Sequence, residues 1–592
     1  MDVHKIFSHY FKDPSVRKAA EVVSRRLEEG HICIYEEDEA LQEASLSLIN
    51  HLSDSPWVGS CDDEAKPFIL DGDRLYLQRY WHYESTILHK IERLLSSTLD
   101  LNLREISDFI LTTATAPDSQ LPFPLNVDWQ TMAVLHALKY RFTIITGGPG
   151  TGKTTSVARI LATKLLLHPP IKIAAAAPTG KAAARMNEAL IKASQRLQLD
   201  DVIRQKIEQI EASTLHRLLG YNPIEGKFRY DTITPLPFDL IVVDEASMMD
   251  AALMARLLAA TSDEAQIVLL GDRHQLSSVE AGSIFGDLCT SAGPFALPDQ
   301  NDKSFYREFI SGIDQWPIPS IPNATNFLTG HILQLHFSHR FDQTKGIGQF
   351  SQLLLSGCTD PDRLIAPYES DVNNTGNLHI VPSLENDRWT IFLQRYTAYA
   401  QEKDIATALT KLGEARTLCA THEGPMGTHS LNTLIQDFLQ NQGYLGSTKP
   451  YYHNQPIQIT SNDYNLQLFN GDEGLIRTDP ESGALMAWFE GEEGTLRAFP
   501  PSILTGFRTA FAMTIHKSQG SEYDSIAVCL PTRAHRILTR ELLYTAVTRA
   551  KNEVLLISDK EVLIKSVQNP TRRMSGIIPR IQSSNTNSPK SL

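Results

Sequence analysis

A short apolar run, Phe142 to Thr146, passes directly into Gly147-Gly148-Pro149-Gly150-Thr151-Gly152-Lys153-Thr154-Thr155, and a helical pattern follows from Ser156 to Leu167. The segment fits GxxxxGK[ST]. It commits this part of the chain to a strand, a turn whose backbone N–H groups curl around phosphate, and a helix whose N-terminus favours negative charge. Lys153 is expected to reach the β and γ phosphates of ATP and the Thr154 hydroxyl to hold Mg²⁺.

Such a turn needs carboxylates from neighbouring strands. LIVVD (240–244) ends on Asp244 and Glu245, read as the Mg²⁺-shell carboxylate and the group that polarises the attacking water. IVLLGD (267–272) leads into Gln275, placed to sense the γ-phosphate. With FTIIT and KIAAAA (172–177), these continuous apolar strands indicate a parallel sheet covered on both faces.

A chain of 592 residues is too long for one such sheet. A second series, ARTLCAT (415–421), PIQIT (456–460), DSIAVCL (524–530) and NEVLLIS (552–558), predicts a second α/β domain. Residues 1–115 read as a mostly helical N-terminal domain with a short apolar strand at His31 to Tyr35, set apart by the three prolines of Thr115 to Pro124. The boundaries expected are 1–115, 116–325, 326–580 and a disordered tail 581–592. A hairpin is predicted at 221–237, and a small β-barrel-like insertion at about 462–500.

No apolar stretch reaches the roughly 18 residues of a spanning helix, and the start lacks a signal-peptide core, so a cytoplasmic protein is expected. The six cysteines form no CxxC pair, against a zinc or iron–sulfur site. A formal net charge of −14 disfavours diffuse affinity for nucleic acid, so DNA contacts must be built by motif.

The P-loop, DEAS and GDRHQL, in this order, resemble the motifs of superfamily 1 helicases. Gln130, in DWQTMAVLHAL, sits where these helicases place an adenine-reading glutamine; APTGKAAARM (177–186) and ASTLHRLLG (212–220) resemble motifs Ia and Ib; and Arg340, in LHFSHRF, occupies the motif IV position. TIHKSQGSEY (514–523) and LLYTAVTRAK (542–551, with Arg549) are similar to motifs V and VI. ASTLHRLLG, NDYNLQLFNGDEG (462–474) and AMTIHKSQGSE together resemble the RecD family, helicase subunits of exodeoxyribonuclease V.

The resemblance implies two RecA-like P-loop NTPase domains and an ATP- and Mg²⁺-dependent 5′-to-3′ DNA helicase acting in double-strand-break repair and recombination. Gly147 to Thr155 and Gln130 would bind the nucleotide. Arg340 and Arg549 would act on the γ-phosphate from the second domain, alongside Lys153, Glu245 and Gln275. Thr179, His216, Thr514, His516 and Lys517 would contact single-stranded DNA, stepping along it as the domains close and open.

The partners implied are single-stranded and duplex-end DNA and RecB-like and RecC-like subunits. Docking is expected through residues 1–115, whose aromatic group Leu75, Tyr76, Leu77, Tyr80 and Trp81 suits an interface. No nuclease cluster is visible outside the ATP site, so cleavage is assigned to a partner. Three other readings are a stand-alone superfamily 1B helicase, a non-motor subunit with a degenerate ATP site, and a P-loop switch or AAA-type ATPase. A complete set of motor residues and a second α/β domain argue against the last two.

Overall fold

The computed structural model describes residues 2–43, 46–61, 63, 65–99, 107–114, 127–291, 306–310, 326–369, 377–446, 450–463, 465–491 and 495–583. They form two compact units, one drawn from residues 2–273, 277–337 and 572–583, the other from 274–276 and 338–571. The proline-bearing linker lies outside the described residues, as does the tail beyond Ser583.

The first unit begins with a small mixed sheet of β1 (Cys33–Tyr35), β2 (Val58–Gly59), β3 (Phe68–Asp71) and β4 (Arg74–Leu77), in the order β1-β4-β3-β2. With helices Val3–Ser8, Pro14–Glu28 and Gln78–Leu95 around this sheet, the N-terminal region is mostly helical as expected, with three more strands than the one expected. β1 falls on the expected strand His31 to Tyr35, whereas β2, β3 and β4, of two to four residues, carry too few alternating positions to announce themselves.

Six parallel strands follow: β5 (Phe142–Gly147), β6 (Ile173–Ala177), β7 (Ser213–Thr214), β8 (Leu240–Val243), β9 (Gln266–Gly271) and β10 (Ile332–Leu335), ordered β10-β5-β9-β8-β6-β7. Every residue of β5, β8 and β9 is buried, as a sheet covered on both faces requires.

The N-terminal region is not set apart from this sheet. Ile87, Leu88, Ile91 and Leu94 of helix Gln78–Leu95 share one core with Leu253, Met254, Leu257 and Leu258 of helix Ala251–Ala260. Ile577 and Ile581, from the end of the chain, join them. Of the aromatic group expected to dock a partner, Leu75, Tyr76 and Trp81 are buried in the unit's own interior, where Tyr76 donates to fully buried Glu84 at 3.1 Å.

The second unit carries β11 (Leu378–Val381), β12 (Ala415–Cys419), β13 (Gln455–Ile459), β14 (Glu473–Thr478), β15 (Leu485–Glu490), β16 (Leu496–Phe499), β17 (Phe507–Thr509), β18 (Ala512–Thr514), β19 (Tyr523–Cys529) and β20 (Ala550–Ile557). β11-β20-β19-β12-β18 is a parallel sheet, and β16-β15-β14-β13-β17 an antiparallel one around Ile457, Ile476 and Phe489. The insertion thus runs from 455 to 509, wider than expected, because its first and last strands in sequence, β13 and β17, flank the glycine-punctuated segment and pair with each other.

The expected hairpin at 221–237 is a loop closed by a single bridge between Asn222 and Lys227. Its apolar tips Ile224 and Ile233 are 94% and 88% exposed.

Candidate functional site

Parallel pairing brings the C-terminal ends of β5, β9 and β8 side by side, with Thr146 opposite Gly271 and Val243 opposite Leu269. Gly147, Asp272 and Asp244 therefore emerge at one edge of the sheet, where nucleotide sites of α/β folds are built. The turn after β5 enters helix Lys153–Leu167 through Gly152 at φ 88°. That left-handed φ favours glycine, and a Cβ there would fall 2.2 Å from Gln130 Nε2 and push the amide out of place. Gln130 Nε2 donates to Thr151 O at 3.2 Å, which holds its amide against the loop.

Lys153 Nζ donates to Gly147 O at 2.7 Å and Gly148 O at 3.2 Å, and Thr151 Oγ1 to Gly148 O at 2.8 Å. The backbone N–H groups of Gly150, Thr151, Gly152 and Lys153 donate to no acceptor among the described residues. Four open donors and an ammonium in one turn form a cradle suited to phosphate. Thr154 is half-buried, and Thr155, next to it, is exposed.

Asp244 Oδ1 accepts the N–H of Glu245 at 2.8 Å. Burial, reinforced by the charge of Glu245 and opposed by Lys153, pushes the Asp244 carboxyl up to about 6. A divalent cation would relieve that cost, so Thr154 and Asp244 fit the Mg²⁺ expected of them. Glu245 itself sits at φ 52°, a left-handed conformation costing on the order of 1 kcal/mol in a residue with a Cβ. Strain of this kind persists where the surroundings fix a side chain in place.

Gln275 is found in a segment, 274–276, that is compact with the second unit rather than with the P-loop. Leu276 N–H donates to Thr545 Oγ1 and Gln519 Nε2 to Leu276 O, each at 2.9 Å. The two arginines of the second unit converge on one turn: Arg340 Nη2 donates to Glu522 Oε1 at 2.6 Å, and Arg549, 3% exposed, donates from Nη1 to Ser521 O at 3.3 Å.

Thr179 caps helix Gly180–Arg196 by accepting Ala182 N–H at 3.2 Å. The His216 ring meets Tyr221 and Phe228, with centroids 5.6 and 5.8 Å away, and burial lowers its pKa, leaving it neutral at pH 7. Thr514 closes β18 and His516 opens the following turn. Lys517 Nζ donates to Asn470 Oδ1 at 2.9 Å; burial and then neighbouring Arg508 lower its pKa. Asn470 and Arg508 were not singled out from the sequence, although Asn470 lies in NDYNLQLFNGDEG.

Residues 130–281 match the AAA domain family, and residues 509–557 match the UvrD-like helicase C-terminal domain. The chain is 34% identical to the RecBCD enzyme subunit RecD of Mycobacterium tuberculosis (strain CDC 1551 / Oshkosh) over 96% of its own length and 92% of that protein. It is 32% identical to RecBCD enzyme subunit RecD of Haemophilus influenzae over 87% and 81%. The ATP-dependent RecD2 DNA helicase of Deinococcus radiodurans is 30% identical over 70% of this chain but only 46% of that protein.

Proposed function

The chain belongs to the RecD family, and on that premise we propose that it is the ATP-driven DNA motor of a complex with RecB-like and RecC-like subunits. It is a DNA-dependent ATPase and helicase. It moves 5′ to 3′ on single-stranded DNA entered from a duplex end, in the repair of double-strand breaks, and a partner subunit cuts. Identity of 34% across 92% of a RecBCD enzyme subunit RecD favours this over a stand-alone helicase. Among the described residues no helix is long and apolar enough to cross a membrane, and we place the protein in the cytoplasm with its DNA.

The observation that carries the reading is the open cradle of Gly150 to Lys153 beside Asp244 and Glu245. The loop N–H groups and Lys153 hold the β and γ phosphates, and Gln130, fixed on Thr151 O, reads the base. Thr154 and Asp244 would hold Mg²⁺, which would supply charge neutralisation at the phosphates. Glu245 orients the attacking water, Gln275 senses the γ-phosphate, and Arg340 and Arg549 are the second unit's cations for the transferring phosphoryl group. Thr179, His216, Thr514, His516 and Lys517 are assigned to DNA.

ATP hydrolysis by the isolated full chain, with and without single-stranded DNA, tests this. Stimulation of at least about tenfold is expected; hydrolysis indifferent to DNA overturns the reading. Partner docking is assigned to the apolar side chains the first unit leaves exposed on and beside its first helix, Val3, Ile6 and Tyr10. Replacing all three with Ser should abolish co-purification with the partner subunits and spare DNA-stimulated hydrolysis. Ile224 and Ile233 are suited to wedge between bases. Changing both to Ser should reduce duplex unwinding several-fold more than ATPase, and equal losses would refute that role.

A further inference from the structure

Residues 462–463 and 465–474 are braced by hydrogen bonds that nucleotide chemistry does not use. Asn462 Oδ1 accepts Asn470 N–H at 2.8 Å, Asp472 Oδ2 accepts Phe469 N–H at 2.8 Å, and Asp463 and Leu468 exchange backbone bonds of 2.7 and 3.0 Å. The loop is thereby braced, with the Asn470 side chain turned to Lys517 and Glu473 placed at the start of β14.

Glu473 meets an arginine that the sheet has buried. Arg416, on β12 and among the largest fully buried side chains, donates to Glu473 Oε2 and to Ala510 O. Its guanidinium carbon lies 5.3 Å from the ring centre of Tyr523, and Tyr523 OH is 3.4 Å from Glu473 Oε1. A buried ion pair adds little net stability over apolar packing of the same volume, so its effect here is to fix geometry. What it fixes is Tyr523, whose chain neighbours Glu522 and Ser521 hold Arg340 and Arg549. From Lys517 to the two arginines the path stays within one unit: from Lys517 to Asn470, along the backbone through Gly471 and Asp472 to Glu473, then by contact to Arg416 and Tyr523.

We propose that Glu473 and Arg416 are positioning residues that transmit occupancy of Lys517 by a DNA phosphate to Arg340 and Arg549. The Lys517 ammonium has three donors and uses one on Asn470 Oδ1, so a phosphate that draws the ammonium toward itself pulls on the loop through that bond. The loop moves the Glu473–Arg416–Tyr523 cluster, and the cluster resets the turn that carries the arginines. This is a coupling between two sites through an element that both bias. It rests on the functional reading above, and it gives NDYNLQLFNGDEG a role.

The test uses the full chain, a labelled oligothymidylate for binding and ATP hydrolysis with and without it. The double variant Arg416→Gln/Glu473→Gln removes both charges together, so neither is left buried without its counter-charge. Its hydrolysis without DNA should stay within about twofold of wild type and its affinity for the oligonucleotide within about threefold, while stimulation falls at least about tenfold. Lys517→Ala should lose affinity instead. Where the double variant does not fold, Arg416→Lys keeps the charge but loses the fork, and the same split is expected. Undiminished stimulation overturns the inference, as does loss of affinity and stimulation together, which would make the cluster a scaffold for Lys517. A wild-type chain that DNA does not stimulate overturns the functional reading and this inference with it.

Discussion

β5 and β12 are both fully buried parallel strands that end near a glycine turn and pass into a helix, Lys153–Leu167 after the first and Thr428–Asn441 after the second. Each helix has a glycine at its N-cap, Gly152 in one and Gly427 in the other. Thr428 stands at the first helical position, where the other corner has Lys153. At the second turn Gly427 N–H donates to Gly424 O, Thr428 N–H to Thr421 O and His429 N–H to His422 O, at 3.0, 3.1 and 3.2 Å. His422 Nδ1 lies 2.9 Å from Thr428 Oγ1, and His429 faces Glu423 at 3.0 Å.

The second corner therefore spends on its own carbonyls the donors that the first leaves open. An α/β turn becomes a phosphate site through unspent N–H groups and a fixed cation, and topology alone does not supply them.

The largest effect separating the corners belongs to the lysine. Lys153→Gln should lower ATP turnover by on the order of a thousandfold, because a fixed charge at a phosphoryl-transfer site is lost. His429→Ala should leave turnover within about twofold. Comparable losses in a steady-state assay would mean that both corners handle nucleotide.

The glycines give a second contrast. Gly152→Ala forces a Cβ onto Gln130 Nε2 and a left-handed φ onto alanine, so the KM for ATP should rise at least about tenfold. Gly424 has φ 91° with open space where its Cβ would go. Gly424→Ala should therefore cost only about 1 kcal/mol in a denaturation curve and nothing in KM. A shift in KM from the second substitution would break the distinction.

The smallest effect is in pH. The Asp244 carboxyl, ordinarily near 4, stands at about 6 in the folded protein, so below about 6 it is protonated and a cation must displace the proton. The Mg²⁺ concentration for half-maximal hydrolysis should rise up to about tenfold per pH unit below 6 and level off above it. His429→Ala should not alter that profile, whereas a profile flat from pH 5 to 8 would remove Asp244 from the metal shell.

The first corner was legible because strand, glycines, lysine and helix are contiguous, and because Asp244 and Glu245 follow an uninterrupted apolar strand. The second was not, since without a lysine GPMGTH carries no spacing that chemistry demands. Helix Gln78–Leu95 shows an apolar face in sequence, but amphipathicity does not say what covers it. Its partner, Ala251–Ala260, lies more than 150 residues further along the chain. Truncation near Pro122 would strip Ile87, Ile91 and Leu94 from the core they share with that helix, so the N-terminal region is not dispensable for the motor's stability. Arg416 and Glu473 lie in segments that the sequence marks, ARTLCAT and NDYNLQLFNGDEG, but their pairing was invisible, because an ion pair between two strands is defined by their meeting and not by either local pattern.

The claim that only the first corner takes nucleotide is tested most directly by equilibrium titration of the chain with a non-hydrolysable ATP analogue. The account predicts one site per chain, lost in Lys153→Gln and retained in His429→Ala. Two sites, or one that survives Lys153→Gln, would contradict it.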